Sequence, residues 1–248
     1  MLETIRVLSQ RGLVRVELAR WEGRLVVVKR LLGVADEVSK RLTREAEVVR
    51  KLDHPNIVPL LAAGERGELI YAYIPGGTLA DVLQGGRLPA SRAVRIVADV
   101  LSALAHAHQH GVVHHDVKPD NILLQGERAL LSDFGFAKDL SLTAITGDQE
   151  LLGTPNYMAP EQFQGVRTDQ RSDVYAVGAV LYHALLGEPP YGGQVLRFLV
   201  GDDRVVREPL PVEAAALAPL VDRALLRDAE ARFPDAPSML EALLAVGV

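Results

Sequence analysis

The chain has 248 residues, 48% of them apolar and 24% charged, enough to bury a core and too apolar for a disordered tail. Its formal net charge of −5 excludes the broad basic faces that bulk nucleic-acid or anionic-membrane binding needs. There is no cysteine, which excludes a disulfide scaffold, a thiolate metal site and a cysteine nucleophile.

The first 75 residues read mostly as strands. Val14, Val16 and Leu18 alternate with Arg15, Glu17 and Ala19, the period of a half-buried strand. A second strand, Leu25 to Lys29, follows the turn signal Glu22-Gly23. After Asp36 the period becomes helical, with Val38, Leu42, Val49 and Leu52 on one stripe, and the helix must stop before Asp53-His54-Pro55-Asn56. Strand-like sequence returns at Ile57–Leu61 and Leu69–Ile74, and Pro75-Gly76-Gly77 is the clearest break in the chain.

Beyond that break helices dominate. Thr78 with Asp81 has the form of an N-cap pair. Val94, Val97, Ala98, Leu101, Leu104, Ala105 and His108 make one apolar stripe on a long helix, which leaves His108 as a packed core histidine. Residues 111–137 read as short strands and loops, and residues 138–170 are polar and poorly periodic, long for a plain loop. Ser172 is positioned to cap an apolar helix running to Leu186, with Gly187 at its end. The apolar stretch from Val174 to Gly187 is shorter than the ~20 residues of a membrane span, and the start MLETIRVLSQRG has no signal core. No membrane segment and a cytoplasmic location are therefore expected.

Two charges fall at positions that point inward. Lys29 shares a strand face with Val27 and Leu25, and Glu45 falls within the stripe of Leu42, Val49 and Leu52. Unpaired buried charge is expensive, so Lys29 is expected to pair with Glu45 and to meet an anion. A purely structural ion pair, or a lysine that snorkels out of a short strand, explains the same two residues.

A second cluster is His114-His115-Asp116-Val117-Lys118-Pro119-Asp120-Asn121, followed twelve residues after Asn121 by Asp133-Phe134-Gly135. Pro119 forbids a helix, so a loop can turn Asp116 and Asn121 toward one point. Asn121 and Asp133 are oxygen donors suited to Mg2+, which takes its remaining ligands from water and phosphate. Asp116 is then placed to accept a proton, and Lys118 to neutralise a phosphoryl group. Alone, an Asp-Phe-Gly tripeptide is an ordinary turn; in this order with Lys29 and Glu45 the set is the protein-kinase signature.

The sequence resembles the eukaryotic-type (Hanks-type) serine/threonine protein kinases, most of all those of bacteria, over essentially its whole length. The resemblance also rests on His54-Pro55-Asn56-Ile57-Val58, Gly153-Thr154-Pro155-x-Tyr157-Met158-Ala159-Pro160-Glu161, Asp173-Val174-Tyr175-x-x-Gly178 and Arg232-Phe233. It implies an α+β, two-lobed protein-kinase fold: a small, mostly antiparallel β lobe with one helix, and a larger, mainly helical lobe. Residues 1–248 form one kinase domain on this reading, with the small lobe at 1–75, a hinge near 72–76, the large lobe at 76–248 and the activation segment at 133–161.

By position, the resemblance makes Asp116 the acceptor of the substrate hydroxyl proton and Lys118 a contact to the γ-phosphate. Asn121 and Asp133 hold Mg2+, or Mn2+ in its place. Lys29, held by Glu45, contacts the α/β-phosphates of ATP, with Gly12, Val14 and Val27 around the nucleotide. The backbones of Ala72 and Ile74 bond adenine, with Tyr71 as gatekeeper. Ser141, Thr143 and Thr146 are autophosphorylation candidates. Thr154 and Lys118 mark specificity for serine and threonine. His114, Glu161, Asp173 and Arg232 are structural supports, Glu161 pairing with Arg232, Asp173 bracing the catalytic loop and His114 holding the Asp133-Phe134-Gly135 segment. The implied partners are protein substrates, with a leaning to basic flanks because the acidic excess lies beyond residue 75; the oligomeric state is left open.

Three features depart from the family pattern. Where G-x-G-x-x-G-x-V is expected, Val7-Leu8-Ser9-Gln10-Arg11-Gly12-Leu13-Val14 keeps only Gly12 and Val14. A non-glycine held in a strained conformation costs about 1–3 kcal/mol, a loss in ATP affinity or rate but not of the charged groups. The arginine of His-Arg-Asp is His115, which removes a bidentate phosphate grip, so activity without activation-loop phosphate is expected; the alternative is that His115 is a pH-dependent stand-in for the arginine. Val27 replaces a smaller alanine near adenine. The degraded loop motivates an alternative, an ATP-binding pseudokinase or scaffold. A small-molecule phosphotransferase is a further alternative, against which the Gly153–Glu161 motif argues. Finally, His106 and His110, four apart on a helix, are candidates only for a chance metal contact.

Overall fold

The structure is a computed structural model and describes residues 2–12, 14–32, 46–47, 49–64, 68–134, 155–166 and 168–247. Strands β1 (Leu2–Arg11), β2 (Val14–Trp21), β3 (Arg24–Leu31), β4 (Leu60–Ala63) and β5 (Leu69–Ala72) form one antiparallel sheet in the order β1-β2-β3-β5-β4. The two-residue period divides β3 between its faces. Val26 and Val28 join Ala19 and Ile70 in a small cluster on one face. Val27 and Lys29, opposite Tyr71 and Leu69, lie on the other face, where Val27, Leu69 and Tyr71 join the main core.

Two strand expectations shift. Residues 57–59 do not belong to β4, because the backbone at 56–58 is engaged elsewhere: Leu131 N donates to Asn56 O at 2.8 Å and Val58 N to Leu131 O at 3.0 Å. β5 ends at Ala72 and not Ile74, because Pro75 has no N–H to give and the chain turns toward the next lobe. There Gly76 N donates to Leu124 O at 3.1 Å and Leu124 N to Gly77 O at 2.9 Å. Only glycine fits at 76, since a Cβ would stand 2.2 Å from that Leu124 carbonyl oxygen.

Helices follow: α1 (Leu79–Leu83), α2 (Ala90–Gln109), α3 (Pro160–Phe163), α4 (Gln170–Leu186), α5 (Val195–Leu199), α6 (Ala218–Ala224) and α7 (Ala236–Ala245). Thr78 and Asp81 form the capping box of α1, each satisfying the other's backbone N–H. Between α2 and α3 lies the hairpin β6 (Ile122–Gln125) and β7 (Arg128–Leu131). α4 is buried on all sides from Ser172 to Tyr182, the mark of a central helix. Its cap is Asp169, whose carboxylate accepts Arg171 N–H at 2.8 Å. Ser172 is not the cap: it sits inside the helix and donates to Glu161 Oε1 at 3.0 Å. Among the described residues no helix is long and apolar enough to cross a membrane.

Candidate active site

The segment from His114 to Asn121 leaves α2 and enters β6, and α4 holds it from below. The Asp173 carboxylate accepts the N–H of His114 on Oδ2 and of His115 on Oδ1, both at 2.8 Å. His115 has φ +65°, a conformation that costs a residue with a side chain about 1–3 kcal/mol. Asp173 on one side and Gln162, whose Nε2 donates to His115 O at 2.8 Å, on the other hold it there. Burial pushes the Asp173 carboxyl up, but the His108 Nε2 hydrogen bond at 2.8 Å and the nearby His114 outweigh it and keep it below the usual carboxylate range. His114 Nδ1 accepts Asp116 N–H at 3.2 Å, so its proton is assigned to Nε2, which donates to Ser132 O at 2.8 Å.

That loop presents three side chains together. Lys118 Nζ lies 2.7 Å from Asp116 Oδ2. Asn121 Nδ2 donates to Asp116 O at 2.7 Å and to its Oδ2 at 3.0 Å. The Asn121 amide is thereby oriented with its oxygen turned away from Asp116. From β3, Lys29 Nζ reaches Asp133 Oδ1 at 2.5 Å and lies 5.7 Å from the centroid of the Tyr71 ring. Asp133 takes φ +66°, following Ser132, whose N–H and hydroxyl both bond Asn121 O. Desolvation pushes the Asp133 carboxyl up, but the Lys29 charge and hydrogen bond, with smaller help from His114 and Lys118, hold it below the usual carboxylate range. Phe134, 1% exposed, packs edge-on against the His114 ring at 4.7 Å.

The donor set fits Mg2+. The Asn121 amide oxygen and the ionised Asp133 carboxylate are hard oxygen ligands, too few to close a cage, as suits an ion that keeps waters and shares phosphate oxygens. Among the described residues no group of three or more histidine or acidic side chains could hold a metal ion. His106 and His110 instead pack ring against ring at 4.4 Å, and His106 stacks on His54 at 5.2 Å.

The residues expected to border a nucleotide lie on or next to β1, β2, β3 and β5. Arg11 pairs with Val14 where β1 gives way to β2, and Gly12 takes φ +54° there. Val7 and Ser9 stand where glycines were expected but have no positive φ. The strain expected there is absent, because β1 absorbs the irregularity as a shift of register between Val7 and Ser9. Val14 begins β2, and Val27 stands opposite Tyr71, which is buried. Ala72 N–H is taken by Pro59 O at 3.0 Å, which leaves the carbonyl as what its backbone has to offer. Ile74 is buried two residues on.

Beneath the site, Arg232 makes two 2.8 Å bonds to the Glu161 carboxylate and also caps Leu226 O and Arg227 O. Burial raises the Glu161 carboxyl, but Arg232 and Ser172 together hold it below its ordinary value. Glu45, Gly135, Ser141, Thr143, Thr146 and Thr154 lie outside the described residues, and with them the expected Lys29–Glu45 pair and the activation-segment sites. Sequence reasoning missed Gln162, Thr168 and the partner of His108. Thr168 Oγ1 lies 3.3 Å from His115 Nδ1. Only Gln162 carried a signal, three residues after Ala159, whose N–H it accepts at 3.0 Å.

The chain matches the family model described as protein kinase domain over residues 10–205. It is 37% identical over 222 residues to the serine/threonine-protein kinase PknB of Mycobacterium leprae, covering 83% of this chain and 36% of that protein. It is 34% identical over 244 residues to the serine/threonine-protein kinase pkn2 of Myxococcus xanthus, covering 90% of this chain and 29% of that one. Among solved structures, a mutant of the Mycobacterium tuberculosis PknI kinase domain is similar with a TM-score of 0.73 at 28% identity, covering 100% of this chain and 96% of that chain. The chain therefore belongs to the protein kinase family, with its antiparallel sheet lobe and helical lobe. It spans 36% and 29% of the length of those two curated relatives.

Proposed function

We propose that this chain is a protein serine/threonine kinase that transfers the γ-phosphoryl group of ATP to serine and threonine hydroxyls of proteins, itself included, using Mg2+ or Mn2+. The observation that carries the reading is that Lys29 meets Asp133 at 2.5 Å while Asp116 meets Lys118 and Asn121 at 2.7 and 3.0 Å, the two groups being joined where Ser132, next to Asp133, bonds Asn121 O. The names of the relatives support the choice of serine and threonine.

Asp116 accepts the proton as the substrate oxygen bonds to the γ-phosphorus, and the bond to the bridging oxygen breaks, leaving its electron pair on ADP. Lys118 offsets charge on the moving group, and Lys29 holds the α- and β-phosphates. Asn121 and Asp133 would hold the metal ion, which when bound would supply positive charge to neutralise the charge developing on the phosphates. Gly12, Val14, Val27, Ala72 and Ile74 border the nucleotide. Residues 1–248 act as one domain, with lobes at 1–75 and 76–248, a hinge near 72–76 and an activation segment at 133–161. The acidic excess beyond residue 75 supports substrates with basic flanks, and the need for ATP supports a cytoplasmic site of action. Turnover of roughly 1–100 s⁻¹ is expected.

The test is incubation with labelled Mg-ATP and a generic basic protein, beside Asp116→Asn. Label on serine and threonine with wild type, reduced by about 1,000-fold in the variant, is the expected result. Nucleotide binding without transfer in wild type would replace this reading with a scaffold.

A further inference from the structure

The mechanism leaves unused a line of histidines at the junction between the sheet lobe and α2. Ser102 and His106 on α2 and His110 at its C-terminal cap follow one another at intervals of four and so share one face. Against that face lies the loop Asp53-His54-Pro55-Asn56. His54 stacks on His106 with ring centroids 5.2 Å apart and an interplanar angle of 29°. His106 packs against His110 at 4.4 Å, and His110 Nδ1 lies 2.9 Å from His106 O.

Both nitrogens of His54 are engaged. Nδ1 accepts Asn56 N–H at 3.1 Å, and Nε2 lies 3.3 Å from Ser102 Oγ. A ring that accepts on Nδ1 is neutral, with its proton on Nε2. Asn56 is 7% exposed and is the link onward. Its side chain donates to Ala129 O at 2.9 Å, and its carbonyl accepts Leu131 N–H at 2.8 Å. β7 ends at Leu131, two residues before Asp133.

We propose that the His54–His106–His110 stack is a proton-sensitive latch, which seats the strand leading to Asp133 while His54 is neutral and releases it when His54 is protonated. A proton on Nδ1 turns the acceptor of Asn56 N–H into a donor, so that bond is lost. The new charge also lies against the His106 ring. Among the described residues, the titratable groups acting on His54 are His106 and Asp99 from α2 and Asp53 from its own loop; burial and His106 lower its pKa from 6.5, with Asp99 and Asp53 opposing. Asp99 is itself held to this junction, accepting Ala129 N–H at 2.8 Å. The latch is therefore closed at neutral pH and opens below the ordinary histidine range.

The inference rests on the kinase reading for its activity readout, so a second readout is independent of catalysis. In the first, transfer to a basic protein is measured from pH 7.5 to 5 for wild type, His54→Gln and His106→Gln, with circular dichroism confirming the fold at each pH. Wild type should lose activity about tenfold per pH unit below the His54 pKa. His54→Gln should lack that limb, and His106→Gln should move it to higher pH because a like charge has been removed. In the second, NMR follows the His54 ring and the amides of Asn56, Ala129 and Leu131 in wild-type protein. These amides should shift with the pKa of the His54 ring. Superimposable pH profiles in wild type and His54→Gln, or amides that ignore the His54 titration, would overturn the latch. Coupled amides in a protein that transfers no phosphate would keep the latch and remove the kinase reading.

Discussion

Position 115 carries an imidazole where the family resemblance expects a guanidinium. In the structure its Nδ1 lies beside Thr168 Oγ1 and its backbone is clasped by Gln162 and Asp173. A ring so held lacks the planar fork that grips phosphate on two oxygens. We expect the triple alanine variant of Ser141, Thr143 and Thr146 to keep most of the wild-type transfer to a basic protein. A folded triple variant reduced by about 100-fold or more would place control back on a loop phosphate. Asp116, Lys118, Asn121 and Asp133 were legible as a set with Lys29 and Glu45 and not singly, because it is their order and spacing that is distinctive. Gln162, Thr168 and His108 were not, because each acts on a group that arrives from a distant stretch of chain.

At the level of elements, the informative join is between β5 and β6. The turn after Ala72 reaches β6 through Gly76 N–H on Leu124 O and Leu124 N–H on Gly77 O, so the segment following β5 and the strand following Asn121 are tied backbone to backbone. Gly76→Ala forces a Cβ to within 2.2 Å of a carbonyl oxygen, and a backbone atom cannot step aside as a flexible side chain can. We expect a loss of about 1–3 kcal/mol in urea unfolding together with weaker nucleotide binding. Unchanged stability and binding would show that the join is slack. Strand content was visible in the alternation of residues 14–19, but strand ends were not. Residues 57 and 58 look like strand and are drawn away by Leu131 of β7, a tertiary competition that no local pattern carries.

Across the whole molecule, Glu161 and Arg232 are 71 residues apart in sequence and meet with two 2.8 Å bonds. The Arg232 side chain is 0% exposed, so removing its partner leaves a buried charge. Glu161→Ala should lower stability at pH 7 by about 3–5 kcal/mol. The Glu161 carboxyl sits below its ordinary value of 4.5 in the folded protein. The stabilisation is therefore complete above that pH and is lost as pH falls through the folded value. Urea midpoints of wild type and variant should converge on acidification, and equal midpoints at pH 7 would contradict the pairing energy.

The amino-acid order alone determined the class of protein and the roster of charged groups, because alternation, helical stripes and reactive side chains are local properties. It also located the missing glycines of the β1–β2 turn. Only the folded chain decided how that turn is accommodated, with a register shift in place of strained φ. It alone decided that Asp169, not Ser172, caps α4, and that His54 meets His106. Those outcomes depend on which distant backbone groups compete for the same donor or the same space, and that competition exists only once the chain has closed on itself.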